Sequence, residues 1–323
     1  MHAEREERIA APSPSGLPRG VVVRGSPGAA LPLALLILAN VALAFGPWFV
    51  RMADTGPVAS GFWRLALGLP FVAALALASG ARPTRLPGGL WWALGGAGVA
   101  FAADLASWHL GILRTTLANA TLFGNSAILM FPIWGFLAAR AWPTRGQGVA
   151  LALAAAGAAL LLGQSYSLDP RNLAGDLLCL TAGVLYTVYF ILMARARESM
   201  GPLSALALST AASAPPILLI ALALGEKIMP SDWGPLIGLA LVSQVLGQGC
   251  MIYALGRLSP LVVGLALLVQ PIVAATIGWL VYNERLSAPE LLGAGLVAAA
   301  LVLVTRSGAV APAQAKAHLP VHD

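Results

Sequence analysis

The sequence predicts an all-α membrane protein: ten transmembrane helices arranged as two inverted five-helix repeats, with both termini cytoplasmic. Three observations predict it. Of the 323 residues, 59% are hydrophobic and only 10% charged, whereas a soluble domain carries roughly 25% charged residues. That is more apolar surface than one soluble core can bury. The apolar residues fall into ten runs, each close to the ~20 residues that take a helix across the hydrocarbon. A weak internal repeat relates the first five runs to the second five.

The first 28 residues are polar, rich in Pro and Gly, and carry Glu4, Arg5, Glu6, Glu7 and Arg8. They read as a disordered cytoplasmic tail and not as a signal peptide, whose apolar region would lie near the start. Residues 307–323 read the same way. Between the tails, Pro, Gly and charged clusters divide the chain into spans 30–51, 57–79, 89–111, 116–138, 147–164, 173–194, 203–224, 235–256, 261–282 and 288–306. The 17 Arg and 2 Lys are dispersed between these runs, which marks topology and excludes a nucleic-acid surface. With both tails inside, 13 of them fall on the cytoplasmic side and five on the other, Arg51, Arg114, Arg171, Lys227 and Arg285. This bias places both termini in the cytoplasm. Cys179 and Cys250 each sit within an apolar run, so neither a disulfide framework nor a metal site is indicated.

The repeat emerges on shifting the sequence by 144 residues, which sets Arg51 on Arg195, Asp104 on Gln248, His109 on Tyr253, Thr115 on Ser259, Ala127 on Pro271 and Arg140 on Glu284. A shift of 145 sets Gly56-Pro57 on Gly201-Pro202. Five helices per half is an odd number, so the halves must have opposite topology, the arrangement in which a substrate site forms at the repeat interface near the midplane.

FGPWFVR (Phe45 to Arg51), TGPVASGFWRLALGLP (Thr55 to Pro70), ADLASWHLGILRTTLANATLFGN (Ala103 to Asn125) and VQPIVAATIGWLVYNERLSAPELLGAGLV (Val269 to Val297) occur in that order. In this respect the chain resembles an EamA-type transporter of the drug/metabolite transporter superfamily. The resemblance spans residues 30 to 306 and implies EamA repeats at 29–164 and 165–306. It further implies a central cavity framed by helices of both halves, with the fifth and tenth helices outside it. Export of amino acids or other small metabolites without ATP hydrolysis is implied too, as in a bacterial cytoplasmic membrane. Pro271 and Asn283-Glu284-Arg285 match the family pattern, while in the first half Ala127 stands at the Pro position, Arg140 at or beside the Glu position, and Pro132 comes five residues late.

Asp104, in the middle of the third span, is the leading candidate residue, because intramembrane carboxylates face a cavity or a partner. Trp108 follows one turn later on the same face, with His109 beside it. Asp104 reads either as a substrate-amine or proton site or as a hydrogen-bonded packing group. Gln244 and Gln248 are i,i+4 neighbours in the eighth span, suited either to a zwitterionic or neutral polar ligand or to interhelical bonding. Asn119, Asn125 and Gln270 are further substrate-binding candidates, and Pro271 is a kink or hinge. Arg64, inside the second span, weighs toward a structural role, and Asp176 toward a helix start. Tyr186, Tyr189 and Trp48 weigh toward packing.

The partners implied are a small-molecule substrate, the bilayer and, through Asp104 or His109, a coupling proton. No cofactor, metal or catalytic residue is implied, and the residues carry no signal for any oligomeric state. There is no phosphate-binding Gly-Lys-Ser/Thr loop, and an intramembrane enzyme acting on a lipid-linked substrate would need a zinc, nucleophile-elbow or paired-aspartate motif that is absent. A channel built on rings of charge fits an inverted repeat less well than alternating access does. Scarce intramembrane charge disfavours a multiply charged substrate.

Overall fold

Helices make up the regular structure throughout the described residues, with no strand among them. The structure is a computed structural model that describes residues 30–80, 88–115, 123–163, 170–282 and 288–306. Both tails, Arg82, Arg85, Asn119, the repeat boundary at 164–165 and Asn283-Glu284-Arg285 lie outside them. In chain order the helices are α1 (Ala30–Met52), α2 (Pro57–Ala78), α3 (Gly88–Ile112), α4 (Ala127–Ala139) and α5 (Arg145–Gly163). They continue as α6 (Leu173–Ser199), α7 (Pro202–Ala223), α8 (Gly234–Leu255), α9 in two pieces (Pro260–Ala266 and Val269–Tyr282) and α10 (Ala288–Arg306). Each overlaps one of the ten apolar runs. Among the described residues six helices, α1, α2, α3, α6, α7 and α8, are long and apolar enough to cross a membrane.

Helix ends follow local chemistry. α2 and α7 both open on Gly-Pro, with Gly56 at φ −60°, ψ 152° and Gly201 at φ −63°, ψ 154°. Proline suits this first position because its missing N–H has no intrahelical acceptor there. Both helices run 22 residues and stop just before a glycine in the left-handed region, Gly80 at φ 85° and Gly225 at φ 66°. That conformation carries no Cβ penalty for glycine and ends a helix sharply.

Three helices are irregular where they meet. α1 breaks at Phe45, whose N–H turns back to the Ala42 carbonyl at 3.3 Å, ahead of Gly46-Pro47, where proline offers no N–H to continue the ladder. α8 winds as a π-helix over Leu239–Gln248, a form concentrated at functional sites. The two irregular stretches pack together: a Cβ on Gly46 would lie 3.4 Å from Ser243 Oγ, and one on Gly247 3.0 Å from Leu43 Cγ. α9 is interrupted at Leu267-Leu268, where N–H groups bond three residues back, just before Pro271.

α3 packs along α6, α2 along α7, and α5 along α10. Small residues allow the close approach: Gly111 of α3 faces Cys179 of α6, and Gly157 of α5 faces the Gly293 carbonyl and Val297 of α10. Van der Waals contact at such positions drives helix association in lipid. Phe101 stacks on Tyr189 with centroids 4.6 Å apart, and Tyr186 meets Phe190 at 4.2 Å, which makes a rigid wall where α3 crosses α6.

Candidate functional site

Residues in or beside the irregular parts of α1, α8 and α9 join others from α2, α3 and α6 in lining a cavity of about 160 Å³. α1 contributes Leu43, Ala44 and Pro47, α2 Arg64, and α3 Phe101, Asp104, Leu105 and Trp108. Gly124 and Asn125 enter from the approach to α4, Tyr186 from α6, Gln248 from α8, and Gln270 with Pro271 from α9. Among the described residues, none from α5 or α10 lines it. Cavities near this volume accommodate one benzene-sized molecule, so the space suits a small metabolite.

Asp104 and Trp108 share one wall, as their one-turn spacing predicts. Asp104 is 9% exposed and its carboxyl makes no hydrogen bond or ion pair among the described residues, although it faces the cavity together with Arg64. Trp108 lies against Gly124, where a Cβ would come within 2.9 Å of the indole Nε1.

Arg64 is 8% exposed. Its Nε–H donates to Gln244 Oε1 at 3.1 Å, and Gln244 Nε2 donates to Thr210 Oγ1 at 2.9 Å, so three helices hold the guanidinium. Its carbon sits 5.6 Å from the Phe101 ring centroid, within cation–π range. Gln248 is 1% exposed, and neither its amide oxygen nor its nitrogen finds a hydrogen-bond partner among the described residues. Such a buried polar group is costly unless a ligand or water satisfies it. Gln270 Nε2 donates to Asn40 Oδ1 at 3.0 Å, and Asn40 Nδ2 to the Leu36 carbonyl at 2.8 Å, which joins α9 to α1.

Asp104, Trp108, Asn125, Gln248, Gln270 and Pro271 are thus brought to one cavity, and Asn119 lies outside the described residues. Two candidates are placed elsewhere. His109 is 3% exposed and its Nδ1 lies 2.7 Å from the Pro57 carbonyl, so Nδ1–H donates to the first residue of α2. One step beyond Trp108 rotates a side chain about 100° around the helix, which carries His109 off the wall. Gln244 turns to Arg64 and Thr210 because in the wider π winding residues four apart do not fall in line. Arg64, weighed toward structure on sequence grounds, is on the wall. So is Tyr186, whereas Tyr189 packs beneath it. A charge retained deep inside an apolar span, with no acid on its own helix, was the available signal for Arg64.

A bundle of apolar helices, several of them long enough to span a bilayer, defines an integral membrane protein. The model of the EamA-like transporter family matches residues 173–306, which are α6 through α10. No curated protein matches the sequence. Among solved structures 29 chains match, one of them a crystal structure of a protein that superposes with a TM-score of 0.72 at 17% identity, over 87% of this chain and 97% of that one. At this identity the likeness is one of fold.

Proposed function

We propose that the protein is a secondary transporter that exports small metabolites such as amino acids by alternating access around the cavity, from a bacterial cytoplasmic membrane with both termini inside. The observation that carries the reading is the Asp104 carboxyl, buried among apolar helices yet facing a small cavity without a bonded partner. A carboxyl in hydrocarbon is retained where it has a substrate, proton or pathway role. The matched family supports transport, and the irregular helices around the cavity support gating, since discontinuous helices build transporter sites at the repeat interface. The repeat is supported by α2 and α7, which share their Gly-Pro start, their length and their closing glycine, and by Asp104 and Gln248, which the 144-residue shift superimposes and which line one cavity. In this reading 29–164 and 165–306 are the two inverted repeats, and Pro271 lets α9 pivot.

The test is mass-spectrometric measurement of a metabolite panel released from loaded liposomes, wild type beside Asp104→Asn, with and without an imposed pH gradient. Selective release by the wild type and its loss in the variant are expected. Dependence on the gradient would add a coupling proton at Asp104. Folded wild-type protein that releases nothing, beside a working control transporter, would overturn the reading.

A further inference from the structure

We infer that Arg64 is the specificity-determining residue of the cavity: it seats a carboxylate on the substrate, while Asp104 takes the cationic group of the same molecule. The inference rests on the transporter reading above and deepens it. It starts from an accounting of the guanidinium. Arginine carries five N–H donors and no acceptor. Here one donor, on Nε, is used by Gln244. The terminal nitrogens donate to nothing among the described residues, and no acid lies within ion-pair distance, although the side chain is buried and lines the cavity. A group serving only to lock α2 to α8 would need no more than the neutral bond that Gln244 already makes. A guanidinium held inside a membrane protein with its terminal fork unsatisfied matches the planar, two-oxygen face of a carboxylate.

The surroundings orient that fork. Gln244 and Thr210 fix the Nε side, and the Phe101 ring lies 5.6 Å from the guanidinium carbon. Phe101 is itself stacked on Tyr189, so the plate under the charge is rigid. Three residues beyond Phe101 on the same face of α3 comes Asp104, also on the wall and not paired with Arg64. Arg64 and Asp104 line one cavity of about 160 Å³ with no ion pair between them, so a small molecule bearing both complements meets a partner for each there. Gln248, which lines the same cavity with its amide unpartnered among the described residues, remains to read a polar group on the body of that molecule. An amine without a carboxylate would leave Arg64 buried and unpaired, and an acid without an amine would do the same to Asp104. The cavity therefore rejects both.

The experiment measures melting temperature and affinity for full-length protein in lipid nanodiscs. The probes are the twenty amino acids, the primary amines left by removing their carboxyl groups, and the acids left by removing their amino groups. Wild type is compared with Arg64→Gln, whose amide can still donate to Gln244, and with Arg64→Lys. At least one amino acid is expected to raise the wild-type melting temperature, with its amine and acid counterparts bound about 10- to 100-fold more weakly. Arg64→Gln is expected to lose that preference and bind the amine at least as well as the amino acid, with Arg64→Lys in between. A merely structural role would weaken all probes together and leave the ratio unmoved. An Arg64→Gln variant that keeps the wild-type ratio overturns the inference while the transporter reading stands. Wild-type protein that binds no probe and also releases nothing from liposomes overturns both.

Discussion

Glu226, in the segment after α7, caps the start of α2: the N–H of Ala59 donates to its Oε2 at 2.7 Å and that of Val58 to Oε1 at 3.3 Å. The first turn of a helix leaves its N–H groups without intrahelical acceptors, and Gly56 has no side chain to serve as a cap. An acid from 167 positions away supplies the cap instead. The same segment is drawn in by Gly56 N–H to the Lys227 carbonyl at 2.9 Å and by Trp63 Nε1–H to the Ile228 carbonyl at 2.7 Å.

Glu226→Ala is expected to cost about 1 kcal/mol, as loss of an ordinary cap does, and Glu226→Gln distinctly less because its amide oxygen still accepts. Thermal unfolding in nanodiscs measures both. Gly56→Ala is expected to act on the same contact, since its new Cβ would overlap the Glu226 carboxylate. A double variant Gly56→Ala/Glu226→Ala should therefore cost less than the sum of the singles.

Asp54 closes the other side of this clasp, with Lys227 Nζ at 2.6 Å and the Ser231 N–H at 2.8 Å. The Lys227 ammonium, then the Ser231 N–H, hold the Asp54 carboxyl well below the usual carboxylate range. Its folded pKa thus lies below the unfolded value of about 3.9, so its stabilising effect is complete above that value and fades as pH falls toward the folded one. Melting temperature measured against pH should show an acid limb below about pH 4 that Asp54→Asn flattens, with little difference at pH 7 in high salt because the pair is half-exposed and screened. Superimposable acid limbs would show that the clasp does not depend on this charge.

Much of this architecture is legible in sequence because it follows from local chemistry. Gly-Pro at Gly56 and Gly201 marks helix starts whatever the tertiary context, and the apolar runs give the helices their places. Asp104, Trp108, Gln248 and Gln270 are visible because each is out of place in an apolar span and must face something polar. What stays hidden is rotation. α3 is apolar nearly all round, so nothing in its sequence says which side meets the cavity, and His109 falls on the Pro57 side, one residue from Trp108. The break at Phe45 is marked locally by Gly46-Pro47, but the π winding of Leu239–Gln248 lies where two helices meet, and no local pattern encodes that meeting. Arg64 shows the same limit: its partners Gln244 and Phe101 are on other helices, so its own span does not say what holds the guanidinium.

Gly68 offers a way to disturb Arg64 without altering it. A Cβ at this position would lie 2.9 Å from Gln244 Cγ and 3.1 Å from its Cβ, so Gly68→Ala must push aside the residue that holds the guanidinium. Overpacking of this kind costs about 1–3 kcal/mol, and affinity for a carboxylate-bearing ligand is expected to fall by about tenfold, the change that 1.4 kcal/mol produces. Gly95→Ala on α3 is the control, because its Cβ would meet nothing within 4 Å and alanine gains up to about 1 kcal/mol over glycine inside a helix. Titrations and melting curves on the two variants separate the effect of packing against Gln244 from that of adding a methyl group.

The bond from Gln270 Nε2 to Asn40 Oδ1 bears on motion more than on stability. It ties α1, a few residues before its break at Phe45, to α9 immediately before Pro271, so the two interrupted helices are joined where each is least able to resist bending. Interhelical side-chain bonds in membrane proteins contribute about 0.6 kcal/mol on average, and Asn40→Ala should lower thermal stability by only that order. Its larger effect is expected on turnover. With the tie removed, α9 is expected to pivot on its own, so maximal flux in liposomes should change by several-fold while ligand affinity, assigned in the proposed site to Arg64, Asp104 and Gln248, stays near the wild-type value. Equal changes in flux and affinity would assign the Asn40–Gln270 pair to the binding surface and remove it from the hinge.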